Sequence, residues 1–594
     1  MAQRAKNRKQ RPKPVAADAL APARHSPQED YILVLRAAVI LSLGIFIYWP
    51  ALNGDWLWDD RDLIADNALI RDSQGLWKIW LQPSVMFDFL PLKISVEWIE
   101  WRLFGEDTLG YHLVSLSLHL TSVFLLWRLF CKLGLRCAWL GALIFLVHPV
   151  QVESVAWIAE LKNTLSLPFF LLATIAWINY DARGKTSSYA LALGMFLLAM
   201  LSKPTMVMFP FVILLHAWWR RGRIVTKDLI ASAPFFLVSL AVGVATVAFL
   251  GKTTGEQHII LGGALSRVAC AGLSLAFYFS KCVLPVDLMT IYPRWVVDPP
   301  SPLEFLPWPI LAGVVWFLWT KRKTWNRHAL FGLGFFLLNL LPFIGLNAGS
   351  YMNYTWVMDH LLYIPMIGLI GLAIAAASHV SAQLSLRPRR VGAAFLVVIL
   401  AWMTWASHSY AALYTSLDAL WENNITLNPG AALPHNDLGV SLARKGQEAE
   451  AIEQFRIAAA LDARYTDAHH NLGLELLKTG HPAEALPEFE AVQRLDPNFA
   501  EANYNLGTDL TELNRNADAI LEFQRALSLD PSYLQAYNNL AYSLVQLKRY
   551  NEAIAAVQMG LQINHNDATL QNTLAALQKI QQQATTKPAK PPRY

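Results

Sequence analysis

Long apolar blocks separated by short polar or basic joints fill the chain up to about residue 410, and beyond that point apolar positions recur at helical spacing within polar sequence. The blocks at 31–50, 110–130, 138–157, 162–180, 188–202, 204–219, 229–250, 305–320, 329–346, 356–377 and 391–410 predict membrane-crossing helices, eleven in all. A crossing helix needs roughly 20 apolar residues for a hydrocarbon core of about 30 Å. Basic residues gather at alternate joints: Arg128, Lys132 and Arg136; Arg183 and Lys185; Arg220, Arg221, Arg223 and Lys227; Lys321, Arg322 and Lys323; Arg387, Arg389 and Arg390. Such residues stay in the cytoplasm, as does the basic tail 1–30, so the first loop, 51–109, emerges outside. A block at 264–286 breaks this alternation if it crosses, and is expected to be a re-entrant or outward-facing hairpin. Were it to cross, the count would be twelve and the C-terminal part would face the cytoplasm. Within the first loop, 76–81 and 96–101 carry Trp at interfacial spacing and predict helices lying in the headgroup layer.

From residue 432 a period of 34 takes over. Leu438, Leu472, Leu506 and Leu540 share one register, as do Ala451, Ala485, Ala519 and Ala553. Gly439, Gly473 and Gly507 are followed by Ala541 in the fourth copy, and Phe455, Phe489 and Phe523 by Val557. This is the tetratricopeptide pattern, in which paired helices bury a core only by stacking on the next pair. Four repeats are expected over 432–567, a connector or half repeat over 411–431, a capping helix over 568–585 and a disordered tail at 586–594.

Composition agrees with a membrane protein carrying a soluble tail: 54% of the 594 residues are hydrophobic and 16% charged. A net charge of +5, spread over the joints, excludes a clustered nucleic-acid-binding face. Cys131, Cys137, Cys270 and Cys282 adjoin apolar runs without zinc-site spacing, and read as small buried residues. Asn353-Tyr354-Thr355 and Asn424-Ile425-Thr426 fit the glycosylation sequon, which is frequent by chance.

The chemistry concentrates after the first block, where Asp55-Trp56-Leu57-Trp58-Asp59-Asp60 leaves adjacent carboxylates at the membrane surface. A solvated loop capping the next helix would explain them. A catalytic pair would explain them too, since charge at that depth is costly without solvent, hydrogen bonds or a ligand. Further along stand Gly110-Tyr111-His112 with His119, His148-Pro149-Val150-Gln151-Val152-Glu153, Ala159-Glu160-Leu161-Lys162-Asn163, Leu201-Ser202-Lys203-Pro204, and Asp359-His360-Leu361-Leu362-Tyr363-Ile364-Pro365. Together with the repeats, this series resembles the transmembrane and tetratricopeptide repeat-containing O-mannosyltransferases and their bacterial relatives, over about 45–580. It departs from them where the family usually shows arginine: at Leu161, at His360, and in the Arg-Pro-Leu pattern that falls on Leu90-Pro91-Leu92.

The resemblance implies an all-α protein, a GT-C-type transmembrane bundle over 31–410 followed by the repeat solenoid. It implies an inverting transfer of a sugar, mannose in the family, from a polyprenyl phosphate to protein Ser or Thr. Asp59 is then the base at the acceptor hydroxyl, and Asp60 orients the acceptor or ligates a divalent cation, for which two carboxylates are a weak basis. No other metal ligand and no further cofactor is indicated. Lys203, with Lys162 and Arg294, is the candidate cation for the departing phosphate, Glu153 binds sugar hydroxyls or holds Lys203, and His360 stands where an arginine would meet phosphate. A lysine snorkelling to headgroups accounts for Lys203 as well. His112, His119 and His148 read as packing or hydrogen-bonding residues. Expected partners are the lipid-linked sugar, membrane lipid and a protein acceptor in the repeat groove. The expected setting is the bacterial inner membrane, or the endoplasmic reticulum of a eukaryote, with the repeats on the periplasmic or lumenal side. The opposing reading is a non-catalytic membrane scaffold whose repeats recruit partners.

Overall fold

The structure is a computed structural model that describes residues 27–586 apart from 83, 85, 87, 254–261 and 347–349. Most of the two expected disordered tails, at 1–26 and 587–594, lies outside the described residues. The described chain is helical throughout, without a strand.

Seven helices are long and apolar enough to cross a membrane: Asp30–Tyr48, Thr108–Lys132, Ile158–Arg183, Thr226–Ala248, Pro302–Thr320, Met366–Gln383 and Leu386–Thr415. An eighth expected crossing is bent by 61° between Ala138–Val147 and Pro149–Ala156. Pro149 causes the bend, because it lacks an N–H and forces His148 into extended backbone (φ −77°, ψ 122°). Three expected crossings are short helices instead: Thr186–Ser202, Phe209–Arg221 and Asn326–Leu340. The block at 356–377 turns helical only at Met366, which leaves Asp359–Leu362 in a 3₁₀ turn.

Side-chain contacts sort the helix ends onto two faces. On one, Asp181 pairs with Arg220 at 2.6 Å and Arg221 at 2.8 Å, Lys132 donates to Asn179 at 2.6 Å, and Trp218 stacks on Trp319. On the other, Thr108 Oγ1 donates to Gly54 O at 2.6 Å, and Asp55 N donates to Thr415 O at 3.1 Å. Gly54 is required there, since a Cβ would come within 2.4 Å of Tyr414 O. The last long helix therefore ends beside the first loop, and the repeats leave the bundle on the face of Asp59 and Asp60.

Residues 264–286 are not a hairpin. Ala264–Val283 is one unbroken helix, with nothing in its sequence to reverse it. Ser266 Oγ donates to Asp298 at 3.2 Å, and His148 Nε2 lies 3.2 Å from Cys282 O. Both ends thus meet segments of the carboxylate face, so the helix runs along that face. A second correction concerns the cysteines: all four are free, but only Cys270 is buried, while Cys131 and Cys137 are exposed near a helix joint.

The repeats are the pairs Ala432–Arg444/Glu448–Leu461, Thr466–Lys478/Pro482–Leu495, Ala500–Glu512/Asn516–Leu529 and Leu534–Gln546/Tyr550–Ile563, followed by Ala568–Thr586. A Cβ on Gly439, Gly473 or Gly507 would meet Phe455, Phe489 or Phe523 at 2.6, 2.8 and 2.7 Å. Ala541 is tolerated in the fourth copy because the facing residue has shrunk to Val557.

Leu417–Leu427 is the half repeat that joins the two parts. Its Trp421 lies in the bundle core, and the Asn424 amide both accepts from Ile291 N (2.8 Å) and donates to Ile291 O (3.1 Å). Asn424 is fully buried, so its sequon presents no accessible amide.

Candidate active site

The two adjacent carboxylates of the first loop are in opposite situations. Asp60 is fully buried, and its oxygens accept from Leu57 N at 2.9 Å and Ala159 N at 2.7 Å. It therefore fastens the first loop to the turn before the helix Leu161–Arg183. Asp59 is only partly buried, and its Oδ1 has no hydrogen-bond partner. Burial, and then repulsion from Glu160, push its carboxyl up to about 6 against the pull of Lys162 and Lys93. A carboxyl titrating there is suited to accepting a proton near neutral pH.

Trp58 sets the aim of this pair. Its φ of +39° is rare for a bulky residue and costs roughly 1–3 kcal/mol. Packing holds it: its ring stacks on Trp157 (centroids 5.3 Å, planes at 10°) and meets Trp421 and Tyr354 edge-on at 5.3 and 6.2 Å. The half repeat thereby touches the residue preceding Asp59.

Behind Asp59 lies a buried charge network centred on Glu160. Its carboxylate pairs with Lys162 Nζ at 2.7 Å, accepts from Asn163 Nδ2 at 2.5 Å and lies 3.8 Å from His360 Nε2. Lys203 Nζ donates to Asn163 Oδ1. Glu153 accepts from His360 N at 3.0 Å and lies 3.1 Å from its Nδ1. Lys203, Glu153, Lys162, His360 and Asp59 are therefore gathered on one face. The neighbouring Asp359 is bound by Tyr292 OH at 2.9 and 3.1 Å. The space beside Lys203 and His360 is about 10 Å³, room for about one water.

Arg294 stands apart. It is exposed, lies over Trp356 at 4.5 Å and donates to Asn353 O at 3.3 Å, close enough to feel Asp462 of the repeats. Each Asp60 oxygen already accepts one backbone N–H group. Among the described residues no group of three His, Cys, Asp or Glu could hold an ion. His112 and His119 serve packing, the latter with its Nδ1 2.8 Å from Tyr363 OH, and His148 Nδ1 accepts from Val150 N at the bend.

Sequence reasoning missed Asn163 as the link between Lys203 and Glu160. It also missed Lys93, Glu97 and Glu100 on Pro91–Phe104, all buried, with Lys93 and Glu97 2.6 Å apart. Their spacing of four and three puts them on one helix face, a signal that the neighbouring interfacial tryptophans obscured.

Comparison with known proteins shows what these parts are similar to. The Dolichyl-phosphate-mannose-protein mannosyltransferase family profile matches residues 94–249, and a tetratricopeptide-repeat profile matches 470–533 and 504–568. Protein O-mannosyl-transferase F38B6.6 of Caenorhabditis elegans is 26% identical over 155 residues, 24% of this chain and 22% of that protein. Protein O-mannosyl-transferase Tmtc3 of Drosophila melanogaster is 28% identical over 187 residues, 26% of this chain and 20% of that protein. The human Protein O-mannosyl-transferase TMTC4 is 27% identical over 164 residues, 23% and 22% of the two chains. The chain thus matches about a fifth of the length of these relatives. Among solved structures, the tetratricopeptide protein YrrB aligns at 21% identity and a TM-score of 0.25, covering 26% of this chain and 80% of that one. With a match to the mannosyltransferase profile over 94–249 and to the tetratricopeptide profile beyond it, the chain is similar in its order of parts to the transmembrane and tetratricopeptide repeat-containing O-mannosyltransferases.

Proposed function

We propose that the chain is an inverting glycosyltransferase of the GT-C type, moving mannose from a polyprenyl phosphate to a Ser or Thr hydroxyl of a protein held by the repeats. The observation that carries this reading is the asymmetry of the acidic pair: both Asp60 oxygens accept backbone N–H groups, whereas Asp59 Oδ1 is buried without a hydrogen-bond partner near Lys162 and Lys93. In the proposed step the acceptor oxygen attacks the anomeric carbon as the bond from that carbon to the phosphate oxygen breaks. The hydroxyl proton passes to Asp59, and the phosphate leaves with the bonding pair. Lys203 and Lys162 meet its charge, with Glu160 and Asn163 holding them in place. A donor needs more room than the present 10 Å³ beside Lys203, so its binding must part the segment Asp359–Leu362 from Lys203. In this reading the repeats and the site share the outer face of the membrane, periplasmic or lumenal.

A non-catalytic scaffold is the second reading, favoured by one observation: Lys162 is already paired with Glu160, and His360 is already held by Glu153. Transfer of labelled mannose from a polyprenyl phosphate to membrane proteins, by wild type and Asp59→Asn, separates the two. Incorporation by wild type alone supports the enzyme; equal incorporation, or none with a folded wild type, leaves the scaffold.

A further inference from the structure

A large cavity lies at the opposite face from the carboxylates. It has a volume of about 470 Å³ and is lined along one side by Met366–Gln383, from Ile367 to Gln383. The sixteen steps from Ile367 to Gln383, at 1.5 Å each, make it about 24 Å deep along that helix, more than half the thickness of a hydrocarbon core. Its depth is apolar, with Phe130, Val212 and Phe335, and one wall carries little bulk at Gly371 and Ala375.

The mouth is of another character. Arg136, His328 and His379 line it, on the face that carries the basic joints. Arg136 is exposed and has no acidic partner among the described residues, whereas Arg220 and Arg221 nearby are paired with Asp181. Two lining polar atoms, His216 Nδ1 and Ser378 Oγ, are buried without a hydrogen-bond partner, and His216 is only 5% exposed. Unpartnered polar atoms in such a place ask for a ligand. A long greasy slot with a cationic mouth, set among membrane-crossing helices, fits an amphiphile with a negative head.

We propose that this cavity binds a membrane phospholipid with an anionic head group. One hydrocarbon chain enters between Phe130 and Phe335, and the phosphate rests at Arg136 with His216 and Ser378 inside the mouth. The site is independent of the transferase reading, and would serve to hold the helices at their basic ends.

The test uses the full chain, stripped of lipid in detergent and titrated with phosphatidylglycerol or phosphatidylcholine, with bound lipid counted by native mass spectrometry. Wild type should hold one phosphatidylglycerol, at about tenfold higher affinity than phosphatidylcholine. Ala375→Phe, which fills the slot, should lose it at an unchanged helical melt. Arg136→Gln, on the surface, should keep a lipid but lose most of the preference. Equal affinity of wild type for both lipids overturns the proposal. So does undiminished binding by folded Ala375→Phe, or displacement of phosphatidylglycerol by an equimolar polyprenyl phosphate. Should Ala375→Phe not fold, an unchanged preference in Arg136→Gln overturns it alone.

Discussion

The repeats and the membrane bundle bury charge and bulk in opposite ways. In the repeats one recurrent core contact is made between residues sixteen apart: Gly439 with Phe455, Gly473 with Phe489, Gly507 with Phe523. In the bundle the charged cluster draws Asp59, Glu153, Glu160, Lys203 and His360 from four stretches of a 300-residue span. A repeat can mend a changed partner within its own hairpin. The paired members have no such local repair, because moving Glu160 or Glu153 leaves Lys162 or His360 without its partner.

Four measurements would break or sharpen that contrast. The largest effect is expected at Asp59: Asp59→Asn should lower mannose transfer by about 10²–10⁴-fold with the melt unchanged, the range for losing a general base. A loss no greater than that of a surface variant such as Asp518→Asn would remove it from the mechanism.

In the repeats, Phe489→Ala should cost about 3–5 kcal/mol, seen as a lowered denaturation midpoint of the full chain. Gly473→Ala alone should cost about 1–3 kcal/mol by overpacking, and most of that should return in Gly473→Ala with Phe489→Val, the pair the fourth repeat already uses. No recovery would deny the local character of the contact.

Transfer should also depend on pH through Asp59. Its carboxyl is raised to about 6 and acts only when deprotonated, so kcat/KM should climb about tenfold per unit below pH 6 and flatten above it. A limb centred near 4 would mean that the group is solvated.

The smallest effect concerns Asp509, which is buried with both oxygens unpartnered and pushed up to about 7 by burial. Its folded form holds a proton more tightly than the unfolded chain does. The stability it contributes is present in acid and lost as pH rises through 7. Asp509→Asn should therefore raise the melting temperature at pH 8 by a few degrees, at about 2–4 °C per kcal/mol, and little at pH 5.

Much was legible before any fold was known. The apolar blocks, the basic joints and the period of 34 carry their meaning in composition and spacing, since lipid and stacked helices impose those patterns residue by residue. The block at 264–286 was misread because charge alternation constrains only which side an end lies on. A continuous helix with both ends on one side satisfies it as well as a hairpin does. Among the site candidates, Asp59, Glu153, Lys162, Lys203 and His360 fall together, whereas Arg294 turns toward the repeats and Asp60 is a fastener.

What the sequence determined by itself is the class of each part: apolar helices that seek lipid, and hairpins that cannot bury their faces alone. What only the tertiary structure decided is which of two adjacent aspartates is free, which glutamate gathers the cations, and that the half repeat reaches Trp58. Those outcomes depend on backbone N–H groups and rings brought from distant segments. Their partners are chosen by packing in three dimensions, which no spacing along the chain records.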